Sequence, residues 1–258
     1  VGLVYQNQVI KDILPPSRQG AYWKPNKPID IQLTDISAEF ALPANLARVL
    51  LSTRDPILLK TASNAITSTQ IPEGHTGFLE VDGQNHGVLT QGVYAWWSFN
   101  RRFAIKQMDL RLQNMEINGQ EILTKDRVSL RINLSATWQI TDAILIKAAL
   151  ADPHEFLYRE LQLALRTVVS TQTLDELLAD KNWLNQHVQE LVASKVTEYG
   201  IALKSVGARD IILPGEMKAI LTEVVEAQKK AEANLIKRRE ETQATRSLHN
   251  TAKVMEGN

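Results

Sequence analysis

Cysteine is absent from this sequence. With it go disulfide staples, thiolate metal sites and cysteine nucleophiles, and the absence fits a reducing compartment. A surplus of charge of one sign is missing too: Lys+Arg and Asp+Glu are each 29 of 258 residues, for a formal net charge of zero. A general nucleic-acid binder needs a basic excess to release counterions from phosphates, so that class is set aside. Long apolar runs are also lacking. The best, Ala143 to Ala151, is broken by Lys147 and falls well short of the roughly 18 apolar residues of a spanning helix. The chain starts at Val1 and stops at Asn258 directly after a helical pattern. Both ends therefore read as trimmed, which leaves room for an anchor or a further helix outside the sequence.

Catalytic signatures are missing as well. There is no Gly-x-Ser-x-Gly elbow, P-loop, dinucleotide-binding glycine run or His-Glu-x-x-His. The five histidines, His75, His86, His154, His187 and His249, never fall at metal-ligand spacing. His75 and His86 flank one hairpin, but two imidazoles without a third ligand make a poor zinc site. Asp109 and Asp126 follow strand patterns, where a turn or an ion pair is the ordinary role of a carboxylate. These residues predict a protein that is not an enzyme, with no catalytic residues, no cofactor and no metal.

An internal repeat is present. Gly2-Leu3-Val4-Tyr5, Leu14-Pro15-Pro16-Ser17, Tyr22-Trp23 and Ile29-Asp30-Ile31 have counterparts about 75 residues on, a spacing that marks a repeated unit. These are Gly77-Phe78-Leu79-Glu80, Leu89-Thr90-Gln91-Gly92, Trp96-Trp97 and Phe103-Ala104-Ile105. Each copy predicts a short strand, a turn, a second strand and an aromatic pair leading into a longer strand. Asp82-Gly83 is a good hairpin turn because glycine accepts positive φ, and Asn7-Gln8 is a weaker one. Between the copies, Leu42 to Leu51 reads as a short helix and Ser52 to Gly74 as polar linker.

The clearest strand follows. Val128, Leu130, Ile132, Leu134, Ala136, Trp138 and Ile140 alternate with polar residues, which means one face buried and one wet. Glu121 to Asp126 before it reads as a short strand and turn. Helical texture then takes over. Thr141 and Asp142 cap one helix, and Pro153 opens a second at the position where its missing N–H costs nothing. Leu157, Leu161, Leu165 and Val168 line one side of that helix. Thr173 starts a third, and Trp183 to Tyr199 form a fourth, stopped by Gly200. A last strand runs from Ile201 to Leu213. Strands, helices and a returning strand predict an α+β fold.

From Pro214 to about Glu256 strong helix formers dominate, predicting one helix roughly 65 Å long. Nothing that long buries itself in a small domain. Its apolar stripe, Met217, Ile220, Leu221, Val224 and Val225, thins to Ala231, Leu235 and Leu248 between charges of both signs. Two roles fit. Val224, Val225, Leu235, Ile236 and Leu248 pack against neighbouring subunits, or the helix stands alone on i,i+4 pairs such as Glu226–Lys230. No strict heptad runs through it, so many helices side by side suit it better than a two-stranded coiled coil. Assembly is favoured because such helices gain most of their stability from packing.

Several segments carry a family resemblance. Gln120-Glu121-Ile122-Leu123-Thr124-Lys125-Asp126, Leu165-Arg166-Thr167, Thr173 to Leu178, Val206-Gly207-Ala208-Arg209-Asp210-Ile211-Ile212-Leu213-Pro214 and Glu226 to Ala233 resemble the stomatin/slipin branch of the SPFH (band-seven, prohibitin-homology) proteins. The likeness runs in order over nearly all of residues 76–258. The first repeat copy resembles the extended N-terminal region of some bacterial slipins. The resemblance implies an SPFH mixed domain, a coiled-coil-forming helix and large homo-oligomeric rings or cages on a membrane. It further implies organised membrane microdomains, membrane-protein clients such as a membrane protease, and a place on the cytoplasmic face of the inner membrane. Alternatives are a soluble shell subunit and a regulatory adaptor of a membrane protease. Family members carry an N-terminal hydrophobic or hairpin anchor, which this sequence does not display, so attachment to lipid is expected through regions outside it.

The expected domains are a small β-rich repeat unit with short helix and linker over 1–73, an SPFH domain over 74–213 and an assembly helix over 214–258. One aromatic cluster stands out: Tyr94, Trp96, Trp97 and Phe99, followed by Arg101 and Arg102. Tryptophans beside arginines suit a membrane interface, with rings at headgroup depth and cations on anionic lipid. The same rings also suit core beneath a sheet.

Overall fold

The computed structural model describes residues 1–22, 28–119 and 121–256, with side chains placed for these except Lys181 and 247–256. Trp23 of the repeat's first aromatic pair and Gln120 of the family signature lie outside the described residues, as does the side chain of Leu248.

The first half of the chain runs β1 (Gly2–Gln6), β2 (Val9–Leu14), β3 (Ile29–Leu33), α1 (Ala44–Leu51), α2 (Pro56–Ala65), β4 (Ile66–Ile71), β5 (His75–Val81), β6 (Gln84–Leu89), β7 (Gly92–Trp97) and β8 (Phe103–Asp109). There follow β9 (Gln113–Ile117), β10 (Glu121–Leu123), β11 (Ser129–Ile140), α3 (Ala143–Ala149), α4 (Pro153–Thr171), α5 (Leu174–Ala179), α6 (Lys181–Thr197), β12 (Ile201–Ile212) and α7 (Gly215–Glu256). The class is α+β with mostly antiparallel pairing. Two compact units divide the chain. One takes in Val1–Gln113, Trp138–Pro153 and Val196–Ala202, the other Asn114–Thr137, His154–Lys195 and Leu203–Asn258.

In the first unit the repeat is structural. Strand order β2-β1-β3 is matched by β6-β5-β8. A shared spacing of 75 residues relates Gly2, Asn7 and Leu14 to Gly77, Asp82 and Leu89, and each hairpin carries its irregularity at the same place, Val4/Tyr5 and Leu79/Glu80. Both turns put two residues at positive φ: 54° and 65° at Asn7 and Gln8, 52° and 81° at Asp82 and Gly83. That is the twist a two-residue hairpin needs, and Asn tolerates it nearly as Gly does. The polar linker expected over 52–74 is instead α2 followed by β4. Asp55 accepts from the Ile57 amide at the helix start, with Pro56 in the first turn, and Ile66–Ile71 pairs antiparallel with β7.

Two clusters of buried side chains among the described residues bracket β7 in this unit. Leu3, Ile10 and Ile13 of the first hairpin meet Ala47, Leu50, Leu58, Ala62, Ala65 and Trp97. Ile71, Leu79, Val81, Leu89 and Trp96 form the other, with Phe40, Tyr94, Phe103 and Ile105 packed against it.

In the second unit β11 is flanked by β12 on one side and by β9 and β10 on the other. Its burial alternates along its length, with Leu130, Ile132, Leu134 and Ala136 buried here. Leu157, Leu161, Leu165 and Val168 of α4 are likewise buried. The Lys125 amide donates to the Gln172 carbonyl at 2.8 Å, and the Ala208 amide to Asn185 Oδ1 at 2.7 Å, tying sheet to helices. Thr173 and Glu176 complete a capping box at α5. At 42 residues, α7 is about 63 Å long.

Candidate functional surfaces

The aromatic cluster sits on β7, where neighbouring residues point to opposite faces of the strand. Trp97 is 1% exposed in one core and Trp96 4% exposed in the other. Both indoles are therefore interior, and the outward-facing membrane role expected for them gives way to core packing. β7 has a core on each face, so successive tryptophans are both covered. Trp96 stacks on Phe103 with ring centres 5.6 Å apart. Trp97 stacks on half-buried Phe99 at 6.2 Å.

Arg101 does not project outward either. Its Nη2 donates to the carbonyls of Ile36 and Ser37 at 3.2 and 2.6 Å, and its guanidinium lies 4.4 Å from the centre of the Phe40 ring. It pins the chain after β3 to the chain after β7. Arg102 has an exposed side chain, while its amide donates to Asp82 Oδ1 at 2.8 Å.

The titratable groups are engaged in structural work. Arg111 grips Asp109 through Nε and Nη2 at 2.9 and 2.7 Å, and this holds the Asp109 carboxyl well below the usual carboxylate range. His75 Nε2 lies 3.7 Å from the same carboxylate, whereas His86 meets the Phe40 ring edge-on at 5.5 Å. Asp126 accepts from the Thr124 hydroxyl and from the Leu174 amide at the start of α5, and the hydroxyl bond lowers its pKa. A carboxylate so fixed is a poor proton shuttle. Among the described residues no group of three His, Asp or Glu is placed to hold a metal ion.

The sequence did not single out three of these contacts: Glu80 with Lys147, Glu116 with Arg209 and Glu160 with Lys195. Each joins residues far apart in the chain, and no local pattern signals such pairs.

The oligomer candidates lie on α7. Val224, Val225, Leu235 and Ile236 are all roughly half exposed, so this helix presents branched apolar side chains to its surroundings along about three turns. Glu226, Lys229 and Lys230 lie between them, with Glu223 before and Lys237, Arg238 and Arg239 after. No helix among the described residues is long and apolar enough to cross a membrane.

A short mixed domain with returning strand β12 feeding directly into a long charged helix defines a class of protein rather than a reaction centre. The family model described as "SPFH domain / Band 7 family" matches residues 69–242, and the chain belongs to this family. Several of its relatives carry stomatin names. Stomatin-3 of Caenorhabditis elegans is 28% identical over 152 residues, covering 59% of this chain and 57% of that protein. A stomatin homolog of Pyrococcus abyssi is 27% identical over 148 residues, covering 57% and 55%. Stomatin-like protein 3 of Homo sapiens is 28% identical over 149 residues, covering 58% and 52%. The chain thus spans little more than half the length of these curated relatives.

Proposed function

We propose that this chain is a non-catalytic, membrane-associated scaffold that assembles laterally through α7 into a large homo-oligomer and organises lipid or client membrane proteins. Membership of the stomatin-type SPFH proteins supports the membrane setting, and the cytoplasmic face of the inner membrane is part of the same proposal. The observation that carries the assembly half is the half-exposed row Val224, Val225, Leu235 and Ile236 on a 42-residue helix. Apolar residues left in water on a helix this long give up roughly 25 cal/mol per Å² that packing against a neighbour recovers. The row is too broken by charge for a two-stranded coiled coil, and the Glu, Lys and Arg along it suit many helices side by side, each making a shallow contact.

Light scattering after size exclusion tests this. The full chain is expected to run as particles many times the monomer mass, and a chain ended after Lys230 as a folded species that no longer forms them. If the shortened chain assembles fully, the mixed domain carries the contacts and α7 is secondary. Flotation of the full chain with vesicles tests the membrane half separately. A membrane protease client belongs to the same proposal, and co-purification with the assembled particle is its test.

A further inference from the structure

The helical pair α1–α2 has an outward side that its core role does not explain. Ala47, Leu50, Leu58, Ala62 and Ala65 are buried beneath it. Around the four-residue link 52–55, however, Val49, Leu51, Ile57 and Leu59 are 52, 41, 67 and 49% exposed. Leu51 ends α1 and Ile57 is the second residue of α2, so both lie within a turn of the link. Arg48, Arg54 and Lys60 are exposed in the same stretch. The one carboxylate there, Asp55, is already engaged: it accepts from the Ile57 amide at 3.0 Å and lies 3.5 Å from Lys11 Nζ. Three cations therefore stand around exposed apolar side chains with no free acid beside them, in a chain whose overall charge is zero. These residues precede the stretch 69–242 matched by the family model, so family membership assigns them nothing.

We propose that the tip of α1–α2 is a lipid-contact surface. Leu51 and Ile57 enter the boundary between headgroups and acyl chains, and Arg48, Arg54 and Lys60 meet the phosphates of anionic lipid. Apolar residues ringed by cations are the composition by which an interfacial helix binds a charged bilayer. A second copy of the same tip is the poorer occupant, because three cations would face three cations. The inference deepens the scaffold proposal by giving this chain its own site of attachment, and it rests on the membrane half of that proposal.

The absence of cysteine makes the test specific. Ser52→Cys in the full chain carries a polarity-sensitive dye at the tip, and Gln186→Cys carries it on α6 as the control. Vesicles of phosphatidylcholine alone are compared with vesicles in which about a third of the lipid is phosphatidylserine. The dye at position 52 is expected to shift to the blue on the anionic vesicles only and to lose the shift as salt is raised, while the control stays unchanged. Arg48→Glu with Arg54→Glu, and separately Leu51→Ser with Ile57→Ser, should each lower the vesicle partition constant, read by sedimentation over a lipid titration, at least about tenfold. Thermal melts verify that these surface variants fold. Sedimentation with a silent dye at position 52 overturns the tip as the site and leaves the membrane scaffold standing. No sedimentation of the unmodified chain also overturns the tip, and leaves attachment to regions outside this sequence. A shift on mixing labelled with unlabelled protein, without vesicles, overturns the lipid assignment in favour of a contact between copies.

Discussion

The Lys147 ammonium lies 2.8 Å from Oε1 of Glu80 and 4.8 Å from the centre of the Phe78 ring. Helix α3 is thereby held against β5 by one cation that serves a carboxylate and an aromatic face together. The ammonium keeps the Glu80 carboxyl below its ordinary value of 4.5. A carboxyl depressed in the folded state contributes stability that is present above the unfolded pKa and is lost as pH falls through the folded one. The melting temperature of Glu80→Gln should therefore lie below that of the parent near pH 7. The gap should narrow as pH falls through the lowered pKa of Glu80 in the folded protein. Thermal melts followed by circular dichroism across that range check it, and a gap that does not change with pH would refute the pairing.

Trp97→Ala is expected to cost about 3–5 kcal/mol, the penalty of an emptied site for a large buried ring. Urea unfolding measures it. A surface indole would cost within about 0.5 kcal/mol, so the two placements are well separated.

Gly119 faces β11 without a side chain, and a Cβ there would collide with the Ile132 carbonyl oxygen. Backbone cannot yield as a flexible side chain does. Gly119→Ala should destabilise by roughly 1–3 kcal/mol, as overpacking does. Equilibrium denaturation reads the loss, and amide exchange on β10 and β11 should rise with it.

Gly200 ends the turn after α6 at φ 79°, and its carbonyl accepts from the Thr141 amide at 2.8 Å and the Thr141 hydroxyl at 2.9 Å. A Cβ would also meet the Asp142 carbonyl oxygen at 2.6 Å. Gly200→Ala combines left-handed strain with a backbone clash, so its loss should exceed the roughly 1 kcal/mol of left-handed strain alone. Gly83→Ala is the comparison: it has positive φ and open space around it, and it should lose less. Parallel melts of the two variants decide whether the close approach at Gly200 adds to the strain.

Local chemistry was legible in the sequence wherever a short stretch carries its own signal. The alternation from Leu130 to Ile140, the Leu157-Leu161-Leu165-Val168 row, the caps at Asp142 and Thr173, the stop at Gly200 and the Asp82-Gly83 turn are each set by backbone sterics or by a period of a few residues. The repeat was legible for the same reason, since its two copies share a spacing. The long helix was legible from composition.

Tertiary structure alone decided which faces are covered. Trp96 and Trp97 look alike in sequence, and a strand's period says only that they face opposite ways. Whether both sides meet a core depends on strands and helices contributed from elsewhere in the chain. The same holds for α1–α2, where Leu51 and Ile57 carry the side chains of core residues and yet lie outside, because Ala47, Leu50 and Leu58 already fill the space beneath. The segment 52–74 shows the converse: Asp55-Pro56 is a helix start in itself, but the six residues of β4 become a strand by pairing with β7. Sequence determined the periods and the breaks of this protein, because those are local. The partners across each face come from distant chain, and only the folded arrangement specifies them.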